Sequence, residues 1–448
     1  MSYALYLLYL ALTYLRPIET YAPDWANYRP MLWLWVLAFL LAAGRASARR
    51  EIAARPLFLG LMLLLVTAIA ASLLARMWLG GAIDALVEFS TAAMLFVLTC
   101  FNLTSIARVR RTCTVLVSCM LVICALTIAA YHYGFMMDQL VLSQSTDAED
   151  ALAPIDVPTA PADDTSGESL WRVRYLGFLN DPNDLAQAII VVLPLLWVAW
   201  RRGRGLRNLI VIGAPTAMLL YSLYLTHSRG GLLGVAAIFV FGMRRMLGTT
   251  RMALLAIVIA VGVNAADFSG GRRFSTGEES ANDRIEAWNS GIQMLKTHPL
   301  FGVGYGSFTD FHPERTAHNS FVLCFAELGL LGFFAWTALL VVAFRELGEA
   351  VRRTPAGSLE HRLTSALRYS LIGFLTCAWF LSRTYQPELY LLLALCASAA
   401  WCVRRSFSEG NEATPWASQA WFGMTVLSML AAIVTVYGFI VMGRVFGS

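Results

Sequence analysis

Five short stretches carry residue types that can do chemistry. The first is Thr226-His227-Ser228-Arg229-Gly230-Gly231, between two apolar runs. An arginine at a helix N-terminus, followed by two glycines, joins a positive charge to free backbone N–H groups. That is a setting for a phosphate or pyrophosphate. An arginine snorkelling out of a tight turn accounts for the same residues. His227 reads as a packing or hydrogen-bonding residue. The second stretch runs from Asn282 to Met294. Apolar residues at 285, 288, 292 and 295 keep helical spacing, and Asn282 or Asp283 is placed to cap that helix. Arg284 would then stand in the first turn, where a cation opposes the helix dipole. Holding an anion would explain it, and so would an ion pair with Glu286 or another acid.

The third stretch is His298-Pro299-Leu300-Phe301-Gly302-Val303-Gly304-Tyr305-Gly306-Ser307-Phe308. Its alternating glycines permit close backbone approach. No Lys-Ser/Thr follows, so it is not a P-loop, and a structural turn is the plainer reading. The fourth, Ala317-His318-Asn319-Ser320, enters an apolar run. A histidine at a water–lipid boundary can act as a general base, because it titrates near pH 7. Assisting the helix cap is its other reading. Glu327 follows inside that run, with Gly329-x-x-Gly332 after it. An ionisable group there needs a partner, and a buried arginine is the expected one. The two glycines would let another helix pack closely. The fifth, Gly177-Phe178-Leu179-Asn180-Asp181-Pro182-Asn183-Asp184, opens an apolar run with proline and Asx capping chemistry. Helix initiation is its default role, with a substrate contact through Asn180 or Asn183 as the alternative.

The elements that must position these residues follow from composition. The 448 residues are 58% hydrophobic and only 14% charged. A soluble protein carries roughly 25% charge. An ordinary soluble enzyme, a secreted disulfide scaffold and a disordered chain are excluded, and a polytopic membrane protein is implied. Thirteen apolar runs can span: 3–16, 31–45, 57–75, 83–103, 113–133, 185–200, 208–226, 230–243, 252–266, 319–344, 367–382, 388–403 and 420–442. The first reads as a retained span, since no basic n-region or cleavage site accompanies it. Eight cysteines in or beside these runs show no C-x-x-C pair, against a disulfide or zinc site.

With the N-terminus in the cytoplasm, short cytoplasmic loops hold twenty-one of the 34 basic residues, as the positive-inside rule requires. They include Arg45, Arg55, Arg108, Arg201, Arg244, Arg345 and Arg404. The opposite side receives two long loops, 134–184 and 267–318. The first holds ten acids against Arg172 and Arg174. Its stretch Ser143–Ser169 reads as a flexible external segment. Arg229 and Arg284 fall on this outer side, against the pattern. Neither Asp-x-Asp on the outside nor His-Glu-x-x-His nor G-x-S-x-G occurs, so metal-assisted and serine-hydrolase chemistry lack support.

In order and spacing these stretches resemble the O-antigen ligase family, which includes O-antigen polymerases. The resemblance covers residues 174–333. It rests on Arg174 with Gly177-x-x-x-Asp181-Pro182-Asn183, then Ser228-Arg229-Gly230, then Arg284-x-x-x-Trp288. It continues through His298-Pro299-Leu300-x-Gly302-x-Gly304 to His318-Asn319, with nine residues between it and Gly329-x-x-Gly332. The resemblance implies an all-α, GT-C-like glycosyltransferase of about twelve spans, so a thirteenth is a departure or a miscount. It implies a single integral membrane domain in the bacterial inner membrane, with the active site on the periplasmic side. The implied donor is an undecaprenyl-diphosphate-linked glycan. The acceptor is the lipid A core for a ligase, or another lipid-linked glycan for a polymerase. Arg229 and Arg284 would neutralise the diphosphate, and His318 would activate or position the acceptor hydroxyl. Arg174, Asn180, Asn183, His298, Tyr305 and Asn319 are the expected substrate contacts, with Glu327, Gly329 and Gly332 in support. No metal, other cofactor or nucleic acid is expected; membrane lipids are the other partners. Protein O-oligosaccharyltransferase is a further enzyme reading, and a lipid-linked oligosaccharide flippase the non-enzyme one.

Overall fold

A computed structural model describes residues 1–44, 55–145, 169–243, 248, 251, 274–312, 316–407 and 420–446. Its main helices are α1 (Ser2–Leu15), α2 (Pro30–Ala43), α3 (Pro56–Leu74), α4 (Leu79–Asn102) and α5 (Ile106–Tyr133). Then come α6 (Pro182–Ala199), α7 (Gly205–Leu225), α8 (Arg229–Met243) and α9 (Phe274–Thr297). The chain continues with α10 (Ser320–Arg353), α11 (Leu359–Ala378), α12 (Pro387–Phe407) and α13 (Trp421–Phe446). Among the described residues eight helices are long and apolar enough to cross a membrane, namely α3 to α7, α10, α12 and α13. Helices α1, α2 and α8 are apolar but shorter. The chain is therefore an all-α polytopic membrane protein. Twelve of the thirteen expected runs fall on helices. The ninth, 252–266, lies outside the described residues, as does most of the acid-rich tract, 146–168.

What sheet there is closes the base of the 134–184 loop. Strands β1 (Val141–Ser145) and β2 (Ser169–Val173) pair antiparallel, with Leu142 opposite Arg172. Val141, Leu142, Trp171 and Val173 are residues that favour a pleated surface. The flexible segment expected from Ser143 therefore begins with an ordered strand.

Contacts between helices pair ends that the alternation of spans puts on one side. Tyr175 Oη donates to the Leu15 carbonyl at the end of α1 (2.8 Å). Arg76, after α3, donates to the Val303 carbonyl (2.9 Å) and Ser307 Oγ (2.8 Å). Arg383, after α11, pairs with Asp184 at the start of α6. At the other end Arg55 donates to the carbonyls of Cys100 and Leu103, and Arg404 pairs with Glu346 (2.9 Å). These contacts bring the end of α1, the segments around Asp184 and Val303, and the turn after α11 to one end of the bundle, which we call the site end.

Helix α10 is broken at Gly329 (φ 60°, ψ −164°). The loop after α9 fills the break. Val303 N and Gly304 N donate to the carbonyls of Ala326 and Glu327 (2.9 and 3.0 Å). In return Leu330 N and Leu331 N donate to the carbonyls of Pro299 and Leu300 (2.8 and 3.2 Å). The loop supplies the hydrogen bonds that the broken helix cannot, which an apolar interior demands. A Cβ on Gly302 would lie 2.3 Å from the Glu327 carbonyl carbon, and one on Gly329 would lie 2.5 Å from Gly302 N. The expected structural turn at the glycines is present, but two expectations about α10 need correction. Gly329 faces this loop rather than another helix, and Gly332 makes room for the Leu328 side chain of its own helix. Glu327 pairs with no arginine among the described residues. Its carboxylate accepts from Phe308 N (3.1 Å), Gly306 N and Tyr385 Oη (2.8 Å). Backbone donors made available by the loop's turns take the place of a counter-ion. Because Gly302 also holds φ +70°, Gly302→Ala is expected to destabilise the protein by about 2–4 kcal/mol. Thermal unfolding in detergent would read this as a lowered midpoint.

Candidate functional site

Helix α7 ends at Leu225, and the chain turns through Thr226, His227 and Ser228 into α8. His227 makes the bend with a left-handed backbone (φ +48°). Ser228 Oγ accepts from Gly231 N (3.2 Å), an N-cap that fixes Arg229 as the first residue of α8. Gly231 lets that end lie against Leu223 and Ala186, where a Cβ would come within 3.0 Å of both. The Cys377 thiol donates to the Gly230 carbonyl (3.4 Å). Arg229 itself is exposed.

Arg284 comes from α9. That helix starts at Phe274, not at the expected cap Asn282 or Asp283. Glu278, Glu279 and Ala281 are good helix formers and extend it toward the N-terminus. Arg284 therefore stands in the third turn, and the argument from an opposed dipole falls away. A more direct one replaces it. Burial, and then the charge of Arg229, hold the Arg284 guanidinium below the ordinary arginine range. The two arginines are near enough to repel each other. Neither makes a hydrogen bond or ion pair among the described residues. The other described arginines at this end that contact protein use carbonyls or acids: Arg16 has Glu19, Arg76 has Val303, and Arg383 has Asp184.

One turn beyond Arg284, Trp288 ties α9 to His318. Its Nε1 donates to the Ala317 carbonyl (3.0 Å), and its ring packs edge-on to Trp379 and Phe439. From the other side, Thr316 Oγ1 donates to Ser382 Oγ (2.8 Å) and Thr384 Oγ1 to the Ser320 carbonyl (2.7 Å). His318 sits between these clamps in a left-handed conformation (φ +47°). A non-glycine residue kept there is held by its surroundings, a frequent condition at functional sites. Trp288→Phe keeps the packing and strips the Ala317 carbonyl of its donor. The expected result is a normally folded protein with about tenfold lower activity, since a lost buried hydrogen bond is worth about 1–3 kcal/mol. Initial rates against wild type would measure it.

The remaining candidates separate. Asn319 is fully buried, and its Oδ1 caps α10 by accepting from Phe321 N (2.8 Å) and Val322 N (3.2 Å). Asp181 caps α6 through Asn183 N (2.7 Å), as expected of that stretch. Asn180 is exposed and makes no side-chain hydrogen bond among the described residues. His298 follows α9, fourteen residues beyond Arg284, or about 20 Å along the helix. There its Nδ1 meets Thr297 Oγ1 (3.0 Å). Tyr305 is buried against Tyr385 (ring centres 4.4 Å) and bonds Glu88. Arg174 turns away and donates to the Gln139 carbonyl (3.2 Å). In its place the structure brings up Arg172, which donates to the Thr226 carbonyl (2.9 Å) and Asn183 Oδ1 (3.2 Å). Strand alternation alone does not distinguish these two arginines, so the sequence reading missed Arg172. Arg383 was missed too. Helix α11 ends at Ala378, before the expected end of its span, which leaves Arg383 in a longer turn at the site end.

A bundle of apolar helices thus carries at one end two arginines without an ion pair among the described residues and a histidine in a left-handed conformation. Residues 214–337 match the family model described as O-antigen ligase. That segment contains Arg229, Arg284, Trp288, the glycine loop, His318 and the break in α10. Over that segment the chain is similar to O-antigen ligases. No curated protein matches the chain.

Proposed function

We propose that the chain transfers a glycan from undecaprenyl diphosphate to an acceptor hydroxyl at the periplasmic membrane face, as an O-antigen ligase acting on the lipid A core. The observation that carries this reading is the nearness of Arg229 and Arg284, with no counter-ion among the described residues. A lipid diphosphate brings the missing charge, and guanidinium forks suit its oxygens. The family match at residues 214–337 supports the reaction class. The concentration of arginines at the opposite end supports a cytoplasmic N-terminus and a periplasmic site.

In the proposed reaction, His318 accepts the proton of the acceptor hydroxyl. The hydroxyl oxygen attacks the anomeric carbon from the face opposite the diphosphate. The bond from that carbon to the phosphate oxygen breaks, and its electron pair stays on the diphosphate. Attack from the opposite face inverts the anomeric centre. Arg229 and Arg284 stabilise the charge that grows on the leaving group. This is the work a divalent cation performs elsewhere, so the reading is metal-independent transfer.

The test is purified full-length protein with undecaprenyl-diphosphate glycan and lipid A core, with and without chelator. Transfer that survives chelation is the expected result; transfer that requires a metal sinks the metal-independent reading. A deletion strain separates ligase from polymerase. Intact lipid-linked polymer that fails to reach lipid A supports the ligase, and accumulated single repeats support the polymerase.

A further inference from the structure

We propose that Arg172 is a positioning residue for the diphosphate site, holding the turn that carries Arg229. The inference rests on the diphosphate role given above to Arg229 and Arg284. Arg172 lies on β2 and is only 7% exposed. Its Nε donates to the Thr226 carbonyl and its Nη2 to Asn183 Oδ1. Thr226 closes α7, and a carbonyl at a helix C-terminus lacks an intrahelical donor and carries the negative end of the dipole. A guanidinium answers both needs, and its fork spans two elements, the end of α7 and the start of α6. A single amide or ammonium cannot span both with the same geometry.

Two residues, His227 and Ser228, separate this anchor from Arg229. Only one of them, His227, bends the chain. Downstream, Ser228 Oγ and the Cys377 thiol hold the first turn of α8. Upstream, Arg172 is the side chain that fixes the buried Thr226 carbonyl. Without it that carbonyl loses its charged donor, and the turn keeps short-range bonds such as Ser228 N to Thr226 Oγ1 (3.3 Å) and His227 N to the Tyr224 carbonyl (3.0 Å). Arg229 would then sample positions away from Arg284, and a displacement of about 1 Å is enough to weaken a two-point grip on an anion. Arg172 and Arg174 thus divide the work of one strand end. Arg172 serves the turn at the site, and Arg174 fastens the base of the loop at the Gln139 carbonyl.

The experiment measures binding of undecaprenyl diphosphate to the full-length protein in detergent, with the thermal midpoint recorded for each variant. Arg172→Gln is expected to weaken binding by about tenfold or more while the midpoint stays near wild type. Arg172→Lys still reaches the Thr226 carbonyl and should bind within about threefold of wild type. Arg174→Ala should bind as wild type does. Should Arg172→Gln fail to fold, Asn183→Ala removes one arm of the same anchor and is expected to weaken binding by about threefold. Unchanged binding in that variant counts against the inference. Binding kept in Arg172→Gln but lost in Arg229→Ala overturns the role of Arg172 alone, as does equal loss in Arg172→Lys or in Arg174→Ala. Wild-type protein that does not bind undecaprenyl diphosphate overturns the diphosphate reading, and this role with it.

Discussion

Arg284→Ala is expected to lower glycan transfer by about 100- to 1000-fold, the usual effect of removing one donor to a developing charge. The same variant should be at least as heat-stable as wild type. This second half follows from the surroundings of Arg284. Its guanidinium is half-buried, faces the charge of Arg229, and forms no ion pair among the described residues. Removing it relieves desolvation and like-charge repulsion together. An arginine engaged in a structural pair gives the opposite result, because its loss strands a buried carboxylate. Activity and melting measured on one preparation therefore separate the two roles. A variant that melts earlier and keeps its rate would sink the anion-binding role. Arg229→Ala should behave alike, with a smaller change in stability since Arg229 is exposed. The double variant should lose little more than either single one, because both arginines act on one leaving group.

His318 carries the second large effect. His318→Ala is expected to lower transfer by about 100- to 10,000-fold, the range for a lost general base. Stability again gives a separate reading. His318 holds φ +47°, a conformation worth about 1–3 kcal/mol of strain in a non-glycine residue. Glycine adopts it freely, so His318→Gly should melt no earlier than His318→Ala while being equally inactive. Transfer close to wild type in either variant would remove His318 from the reaction. Equal loss with the acceptor saturating would point to chemistry rather than to acceptor binding.

Much of the architecture was legible because lipid thickness dictates the length of apolar runs and a spanning backbone has few alternatives to helix. The turn at Arg229 was legible for a local reason, a serine cap with its arginine and glycines within six residues. Arg284 was selected for the wrong local reason. The helix starts at Phe274 rather than near Asn282, so no dipole opposes Arg284, yet its expected place on the outer side still singles it out. What escaped notice depends on contacts between distant parts of the chain. Arg172 and Arg174 are two residues apart and chemically identical, and only the Thr226 carbonyl distinguishes them. Glu327 called for a partner, but the partners are backbone amides made available by a loop whose path no residue pattern reveals. Tyr385 and Arg383 lie in a turn that appears only once α11 is seen to end at Ala378.

The loop that fills the break in α10 ties together two positions far apart in the chain. A side chain on Gly302 would run into the backbone at Ala326 and Glu327, just before Gly329, and one on Gly329 into the backbone at Leu300 and Gly302. Each side chain would meet main chain of the other segment, so neither glycine can be replaced alone without a damaged intermediate. Among related sequences the two positions should change together or not at all. A family in which Gly302 is lost should have re-formed the helix at 329, and with it released the loop between Arg284 and His318 from the membrane.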